Sequence, residues 1–245
     1  MSLGLPIFTL NMGTILRQLG ERGIWRNFPF RIVLSCLCLL GSVEAQSGNV
    51  EGVVQFSRKS GGKRVAVEKY TGKITGLVNP APPLLAGVWL TRPGLVAPAK
   101  SPDVHLAQKG YQFAQSLLVV PVKTKVFFPN EDPDYHNVYS LSRSNRFDIG
   151  RYLKNERPTP FVVFEKPGIV RLNCEIHEHM RAHVLVVDSP YHTRTNERGR
   201  FQLNNIPVGT YVLYAQLDKK SIWKSEVEVT AGQTQRVSLG KKQKQ

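Results

Sequence analysis

The stretch Leu172-Asn173-Cys174-Glu175-Ile176-His177-Glu178-His179-Met180 holds the side chains around which this chain is predicted to fold. A thiol, an imidazole and a thioether follow one another in it at three-residue spacing, at Cys174, His177 and Met180. Within one tight turn, all three can reach the same metal ion. Two imidazoles and a thiolate in a trigonal set, with a weak axial thioether, select copper for electron transfer. His136, where a polar turn runs into an alternating segment, is the expected second imidazole, so the sequence predicts one copper ion held by these four residues.

Two other ligand sets stay open on the residues alone. His179 competes with Met180 for the fourth position, and we favour Met180 because His179 should point away across the turn. A zinc site of Cys174, His177, His179 and His183 is possible on ligand type. It would leave the upstream histidine without a role.

Enzymatic interpretations of the chain are weaker. Glu131, Asp132 and Asp134 cluster beside the upstream histidine, but a solvated acidic loop is commoner than a pair of catalytic carboxylates. The serines lack a recognisable nucleophile motif. A type 1 copper has its positions filled by protein, whereas hydrolysis and oxygen chemistry need an open position or further metals. The sequence therefore predicts a protein that is not an enzyme.

The beginning of the chain has the features of a signal peptide. Arginines precede the apolar run 32–40, and the small-residue ending Val43-Glu44-Ala45 suits a signal peptidase. The run is too short to span a bilayer comfortably. We expect cleavage after Ala45 and a periplasmic or otherwise exported protein, with translation starting at Met1 or Met12.

Charge and cysteine content agree with export. Lys and Arg number 33 against 18 Asp and Glu, a net charge of +15. Such a charge favours an acidic exported redox partner, a cytochrome or a dehydrogenase, or an anionic envelope surface, and export makes nucleic acid the least expected partner. A glycan is a further possible partner on the resemblance to carbohydrate-binding modules described below. Cys174 has no intrachain partner once the leader is removed, which favours a thiol that is buried or bound to metal.

Short strands and turns account for the rest of the chain. From Val104 to Asp188, apolar segments alternate with turn signals, a pattern typical of a sandwich or Greek-key barrel. One segment of this series is Tyr111-Gln112-Phe113. Further strands are expected around 50–56, 85–90 and 195–239, and less clearly within 65–84. No long amphipathic helix is visible, so the predicted fold class is all-β.

The copper motif resembles that of the cupredoxins, and its short ligand loop looks most like that of the amicyanins. Stretches such as Phe128-Pro129-Asn130 and Lys166-Pro167-Gly168 are similar to exported cupredoxin-like proteins called methylamine utilisation proteins. The resemblance implies a type 1 copper site with Met180 axial and His177 near the surface, where electrons leave. Two residues depart from the family pattern: Lys123 stands at a turn where glycine is expected, and Glu178 stands where the loop commonly has proline.

The C-terminal part resembles carboxypeptidase regulatory-like modules, which are prealbumin-like β-sandwiches related to carbohydrate-binding domains. The resemblance is carried by 195–201 and by Asn205-Ile206-Pro207-Val208-Gly209-Thr210-Tyr211. The first strands of such a module stand before the copper segment, so we predict that the cupredoxin is inserted in a surface turn of the sandwich. The predicted parts are a signal peptide 1–45, the first module strands 46–92, the cupredoxin 98–190, the remaining module strands 191–240 and a basic tail 241–245.

Three functions follow from these observations. The leading prediction is an exported blue copper protein that transfers single electrons. The alternatives are a copper-binding or copper-delivery protein without redox turnover, and a carbohydrate-binding or structural envelope protein.

Overall fold

The computed structural model describes residues 46–55 and 84–240. Over these residues the chain consists of strands and turns, and the predicted all-β fold class is confirmed. In that part of the chain no helix is long and apolar enough to cross a membrane. The predicted leader, the uncertain strands of 65–83 and the basic tail lie outside the described residues.

The strands are numbered in chain order: β1 Ser47–Gln55, β2 Gly87–Thr91, β3 Val104–His105, β4 Leu117–Pro121, β5 Thr124–Phe127, β6 His136–Leu141, β7 Arg146–Tyr152, β8 Phe161–Phe164, β9 Gly168–Asn173, β10 Arg181–Val187, β11 His192–Arg194, β12 Arg200–Pro207, β13 Gly209–Gln216, β14 Ile222–Val229 and β15 Thr234–Gly240.

The first sandwich, β3 to β10, is formed by two sheets. One has the strand order β4-β10-β9-β6-β7 and the other the order β3-β5-β8. Apolar side chains of both sheets meet in a single core that contains Val126, Phe128, Val170, Leu172 and Val184. Successive side chains of a strand point to opposite faces, so the apolar positions of each strand fix which face is buried.

The second sandwich, β1, β2 and β11 to β15, also has two sheets, in the orders β12-β1-β15 and β11-β2-β13-β14. β1 runs antiparallel to β12 and parallel to β15, and β2 lies between β11 and β13. Strands that precede the first sandwich in the chain therefore pair with strands that follow it. Val50, Leu90, Phe201 and Leu213 are among the residues of its core.

An apolar seam joins the two sandwiches. Leu117, Leu185 and Val187 of the first sandwich form a buried cluster against which Trp89 of the second packs. Gly87 makes this approach possible, because a Cβ there would lie 2.2 Å from Cδ2 of Leu185. A larger residue at position 87 would require the Leu185 side chain to move.

Two turns differ from a simple strand-and-turn pattern. The predicted strand at 111–113 is wrong: the segment forms bends outside the strands, and Gly110 and Tyr111 have φ of 62° and 59°, a left-handed conformation that turns the chain. Lys123 stands in the β4–β5 turn with φ of 65°, at the position where glycine is expected from the cupredoxins. A side chain in this conformation costs about 1 kcal/mol relative to glycine.

Candidate metal centre

Two neighbouring strands of the five-stranded sheet position the histidine and the cysteine of the site. His136 is the first residue of β6, and Cys174 directly follows the last residue of β9. β6 and β9 are antiparallel, so the start of one and the end of the other lie at the same end of the sheet. The loop from Cys174 to Met180, which contains His177, then leads into β10.

The three donor atoms of His136, Cys174 and His177 lie close together. The two Nδ1 atoms are 3.1 Å apart, and the sulfur of Cys174 is 4.0 Å from Nδ1 of His136 and 3.7 Å from Nδ1 of His177. In a triangle with these sides, the point equidistant from all three atoms is about 2.1 Å from each, and metal bonds to imidazole nitrogen and thiolate sulfur are about 2.0 to 2.3 Å long. The donor set therefore fits one metal ion.

A buried carboxylate fixes the orientation of the His136 ring. Nε2 of His136 lies 2.9 Å from Oδ2 of Asp132, and a carboxylate can only accept, so Nε2 carries the proton. Nδ1 is therefore the ring nitrogen that faces Cys174 and His177 and that a metal ion would bind. Asp132 is itself held by the N–H groups of Gly110 and Tyr111, at 2.6 and 2.9 Å. Such an outer partner sets the tautomer of a metal-binding histidine and raises its basicity.

Hydrogen bonds hold the ligand loop in place. The N–H of Glu175 donates to the side-chain oxygen of Asn137 at 2.7 Å, which ties the start of the loop to β6. The N–H of Cys174 donates to the carbonyl of Met180, and the N–H of Met180 donates to the carbonyl of His177. The loop thus closes on itself although Glu178 replaces the proline of the family pattern.

The local electrostatics favour the ligand form of two of the three groups. Burial acts to raise the pKa of Cys174, but hydrogen bonds from His136 and from backbone N–H groups outweigh it and hold the pKa below its usual value. Burial and the neighbouring His136 lower the pKa of His177, so its imidazole is neutral. Burial opposes a charge on His136, yet its contacts with Cys174 and Asp132 raise its pKa.

Met180 and His179 occupy different surroundings. Met180 is 1% exposed and belongs to the core cluster that includes Cys174. Nε2 of His179 lies 3.0 Å from the backbone carbonyl of Tyr111, which can only accept, so this nitrogen donates. Among the described residues, the donor atoms that group within 4.8 Å are those of His136, Cys174 and His177, and neither His179 nor His183 joins them.

Tyr111 covers the site from one side. Its ring meets the rings of His136 and His177 edge-on, with centroids 5.8 and 5.2 Å away. Its hydroxyl donates to Asp134 at 2.5 Å, and this bond, together with burial, raises the pKa of Tyr111 to about 12. The left-handed backbone of Tyr111 places its N–H on Asp132 and its ring over the two histidines at once.

His177 is the member of the set that reaches the surface. It is half-buried, whereas His136 is 0% and Cys174 2% exposed. An open pocket of about 500 Å³ lies over it, lined by Asp134, Tyr135, Arg151, Ile176 and His177. Its rim contains an ion pair, in which the guanidinium of Arg151 contacts the carboxylate of Glu175 at 3.1 Å.

Two residues around the site were not predicted. Asp132 is 6% exposed and hydrogen bonded to His136, so the prediction of a solvated acidic loop is wrong for this residue. The prediction holds for Glu131 and Asp134, which are exposed. Tyr111 was assigned to a strand. The Gly110-Tyr111 pair was the available signal, since glycine favours the turn that brings residue 111 over the histidines.

Comparison with known proteins supports the second resemblance directly. The model of the carboxypeptidase regulatory-like domain matches residues 180–240, which confirms the predicted similarity of the C-terminal part. The match begins at β10, which pairs within the first sandwich, and continues through β11 to β15. A search of curated protein sequences gave no significant match.

Several solved structures are similar to part of the chain. A copper-containing nitrite reductase from Thermus scotoductus SA-01 is 24% identical over 36% of this chain and 23% of its own length, with a TM-score of 0.34. Amicyanin from Paracoccus versutus is 20% identical over 41% of this chain and 97% of its own, with a TM-score of 0.32. A purple cupredoxin from Nitrosopumilus maritimus is 21% identical over 35% of this chain and 100% of its own, with a TM-score of 0.31.

Proposed function

We propose that this chain is a type 1 copper protein that transfers single electrons, and that it holds copper with His136, Cys174, His177 and Met180. The observation that carries the proposal is the triangle of two imidazole nitrogens and one thiolate sulfur, whose centre is a bonding distance from all three. A soft thiolate with two imidazoles selects copper over harder cations. Copper in such a set cycles between its cupric and cuprous states.

Other residues orient the ligands, exclude water and connect the site to the surface. Asp132 orients the ring of His136, and Asn137 ties the cysteine loop to the strand that carries His136. Tyr111 and the apolar core keep water away from Cys174, which is 2% exposed. His177 lies beneath the open pocket and offers the shortest path from the site to a partner. The partner is proposed to be an exported redox protein, and its acidic character stays a prediction.

Addition of one equivalent of Cu(II) to the purified protein tests this function. We expect an intense visible absorption band from the copper–thiolate bond, and its loss on reduction by a one-electron donor. Tight copper uptake without this band would favour a copper-delivery protein instead. Failure to take up copper would contradict both functions and favour a structural or carbohydrate-binding protein.

The axial ligand is tested by a matched pair of variants. Met180→Leu should keep the visible band and lower copper affinity by less than about tenfold, because the axial bond is weak, while the reduction potential rises. His179→Ala should change neither quantity, since its Nε2 is directed at a backbone carbonyl. Potentiometric titration measures the potential, and loss of the band in the His179 variant alone would reverse the assignment.

We also propose that the protein is exported after removal of residues 1–45. The basic residues, the short apolar run and the ending Val43-Glu44-Ala45 support this proposal. The mass and N-terminal sequence of the protein secreted by a bacterial host should show a chain that begins at Gln46. An intact N-terminus on the protein in the cytoplasm would contradict export.

A further inference from the structure

The end of the first sandwich opposite to the metal centre carries four exposed cations: Lys123, Arg143, Arg146 and Lys166. We call them the basic end. Arg143 lies two residues after the end of β6, whose first residue is His136. Lys166 lies two residues before the start of β9, which ends beside Cys174. A strand of this length spans about 20 Å. The basic end and the metal site are therefore separated by the full length of the sheet.

The turns that carry these cations are bonded to one another. The N–H of Lys123 donates to the carbonyl of Phe164 at 2.7 Å, directly before the β8–β9 turn. The side-chain amide of Asn145, between Arg143 and Arg146, donates to the carbonyl of Lys166 at 2.8 Å. The four cations thus stand on one connected surface.

The basic end differs from the metal end in how its charges are compensated. At the metal end Lys109 pairs with Glu131 and Arg151 pairs with Glu175, each at 3.1 Å. Over the described residues, none of the four cations of the basic end takes part in an ion pair. The exposed Glu165 adjoins Lys166 and offsets part of this charge. The excess of cations that remains adds to a local positive potential, whereas paired charges largely cancel.

Two further features accompany these charges. Leu141, which pairs with Arg146 across the β6–β7 turn, is 66% exposed. Lys123 adopts a left-handed conformation that glycine adopts at lower cost, so a cation stands at this position despite backbone strain. Cations around a projecting apolar side chain are the elements with which a protein binds at the surface of an anionic bilayer.

We propose that the basic end binds the phosphate groups of an anionic lipid bilayer and leaves the metal end facing away from it. A bilayer is favoured over an acidic protein because protein interfaces depend on buried aromatic anchors, and the turns of the basic end expose none. The binding requires only the cations and Leu141, so it is independent of the proposed copper function.

Vesicle binding by the purified protein tests the proposal. We expect binding to phosphatidylglycerol-containing vesicles that weakens with salt, and none to pure phosphatidylcholine. The variant with Lys123, Arg143, Arg146 and Lys166 all changed to Gln should lose roughly 600-fold in the partition coefficient, since each cation near an anionic surface contributes roughly fivefold. Leu141→Gln should lose severalfold with charge unchanged.

The matched control changes Arg198, Lys219, Lys220 and Lys224 to Gln, four exposed cations of the second sandwich. This control removes the same charge and should lower the partition coefficient by less than about tenfold, because its cations lie away from the basic end. An equal loss in both variants would show that net charge alone causes binding and would overturn the proposal. Absence of vesicle binding, or binding instead to an acidic protein through the same four cations, would overturn it as well.

Discussion

The first sandwich buries a group of polar side chains beside the metal site, including Gln108, Asn130 and Asp132, whereas the second sandwich encloses an almost wholly apolar core. The buried polar residues of the second, Ser189 and Thr195, each bond to a nearby backbone group. Asn130, Asp132 and His136 of the first are joined by hydrogen bonds beside the metal site, whereas Thr124 and Asn145, at the other end, bond to nearby backbone groups. Burial of polar groups costs free energy unless they are paired, so a concentration of them at one sheet end marks a site rather than a scaffold.

Cys174→Ser should produce the largest effect on copper binding. It tests whether the first sandwich needs the metal site to bind copper but folds without it. Replacement of the soft thiolate by a hydroxyl should abolish the visible band and lower copper affinity by more than about 1,000-fold. The free energy of unfolding of the metal-free protein should change by less than about 2 kcal/mol, since both side chains are small. Isothermal titration and urea denaturation measure the two quantities. A large loss of stability without loss of copper affinity would make Cys174 a core residue.

Leu213→Ala is the reciprocal change in the second sandwich. Leu213 is 0% exposed, so its truncation should lower the free energy of unfolding by about 2 to 5 kcal/mol. The copper spectrum should stay unchanged, because Leu213 belongs to the core that contains no ligand. A shifted spectrum would show that the apolar seam transmits strain to the metal site.

Asp132→Asn should lower metal affinity by about 10- to 100-fold, the usual cost of losing an outer partner of a ligand histidine. Its control is Glu131→Gln, which removes a neighbouring exposed carboxylate that pairs with Lys109. The control should leave affinity unchanged, and competition with a copper chelator compares the two variants. Equal affinities in both would show that Asp132 does not support His136.

The same carboxylate should give the metal-free protein a pH-dependent stability. Burial opposes ionisation of Asp132, but hydrogen bonds from Tyr111, His136 and Gly110 outweigh it and lower its pKa. A group whose pKa is lower in the folded state stabilises that state above its ordinary pKa, and this contribution is lost as the pH falls through the folded value. The wild-type protein should therefore lose more stability on acidification than Asp132→Asn does.

Lys123→Gly should produce the smallest effect, a gain of about 0.5 to 1 kcal/mol in the free energy of unfolding, because glycine removes the left-handed strain. Lys166→Gly is the control, since this substitution removes an equal charge at a residue whose backbone is not left-handed. Thermal unfolding compares the two variants. A gain in both would point to relief of charge repulsion at the basic end.

The metal ligands of one loop could be predicted from the sequence, because their spacing along the chain is short. Cys174, His177 and Met180 lie within one short loop, so their residue types and intervals alone indicated a shared metal. Asp132 and Tyr111 reach the metal site because two distant segments of the chain meet there. The backbone around Gln108 pairs with that around Asn130. No periodicity encodes that contact, and an acidic residue in a polar loop resembles any solvated carboxylate.

In the fold, too, local patterns could be predicted from the sequence and long-range contacts could not. Alternating apolar residues predicted most strands of both sandwiches, because burial of one face leaves a period of two in the sequence. The apolar seam could not be predicted, since Gly87 and Leu185 are unremarkable within their own strands. Their contact depends on the relative placement of two sheets.

The pairing of β1 with β15 has a consequence for how the chain folds. Glu51 of β1 lies beside Arg236 of β15, and the two residues are 185 positions apart. Contacts between such distant residues form slowly, because a long loop must close before they contribute. During synthesis the first sandwich can be complete while β1 still lacks its partner on β15. The earliest strand of the described chain is thus among the last to be enclosed, and until then its edge is open to chaperones or to other chains.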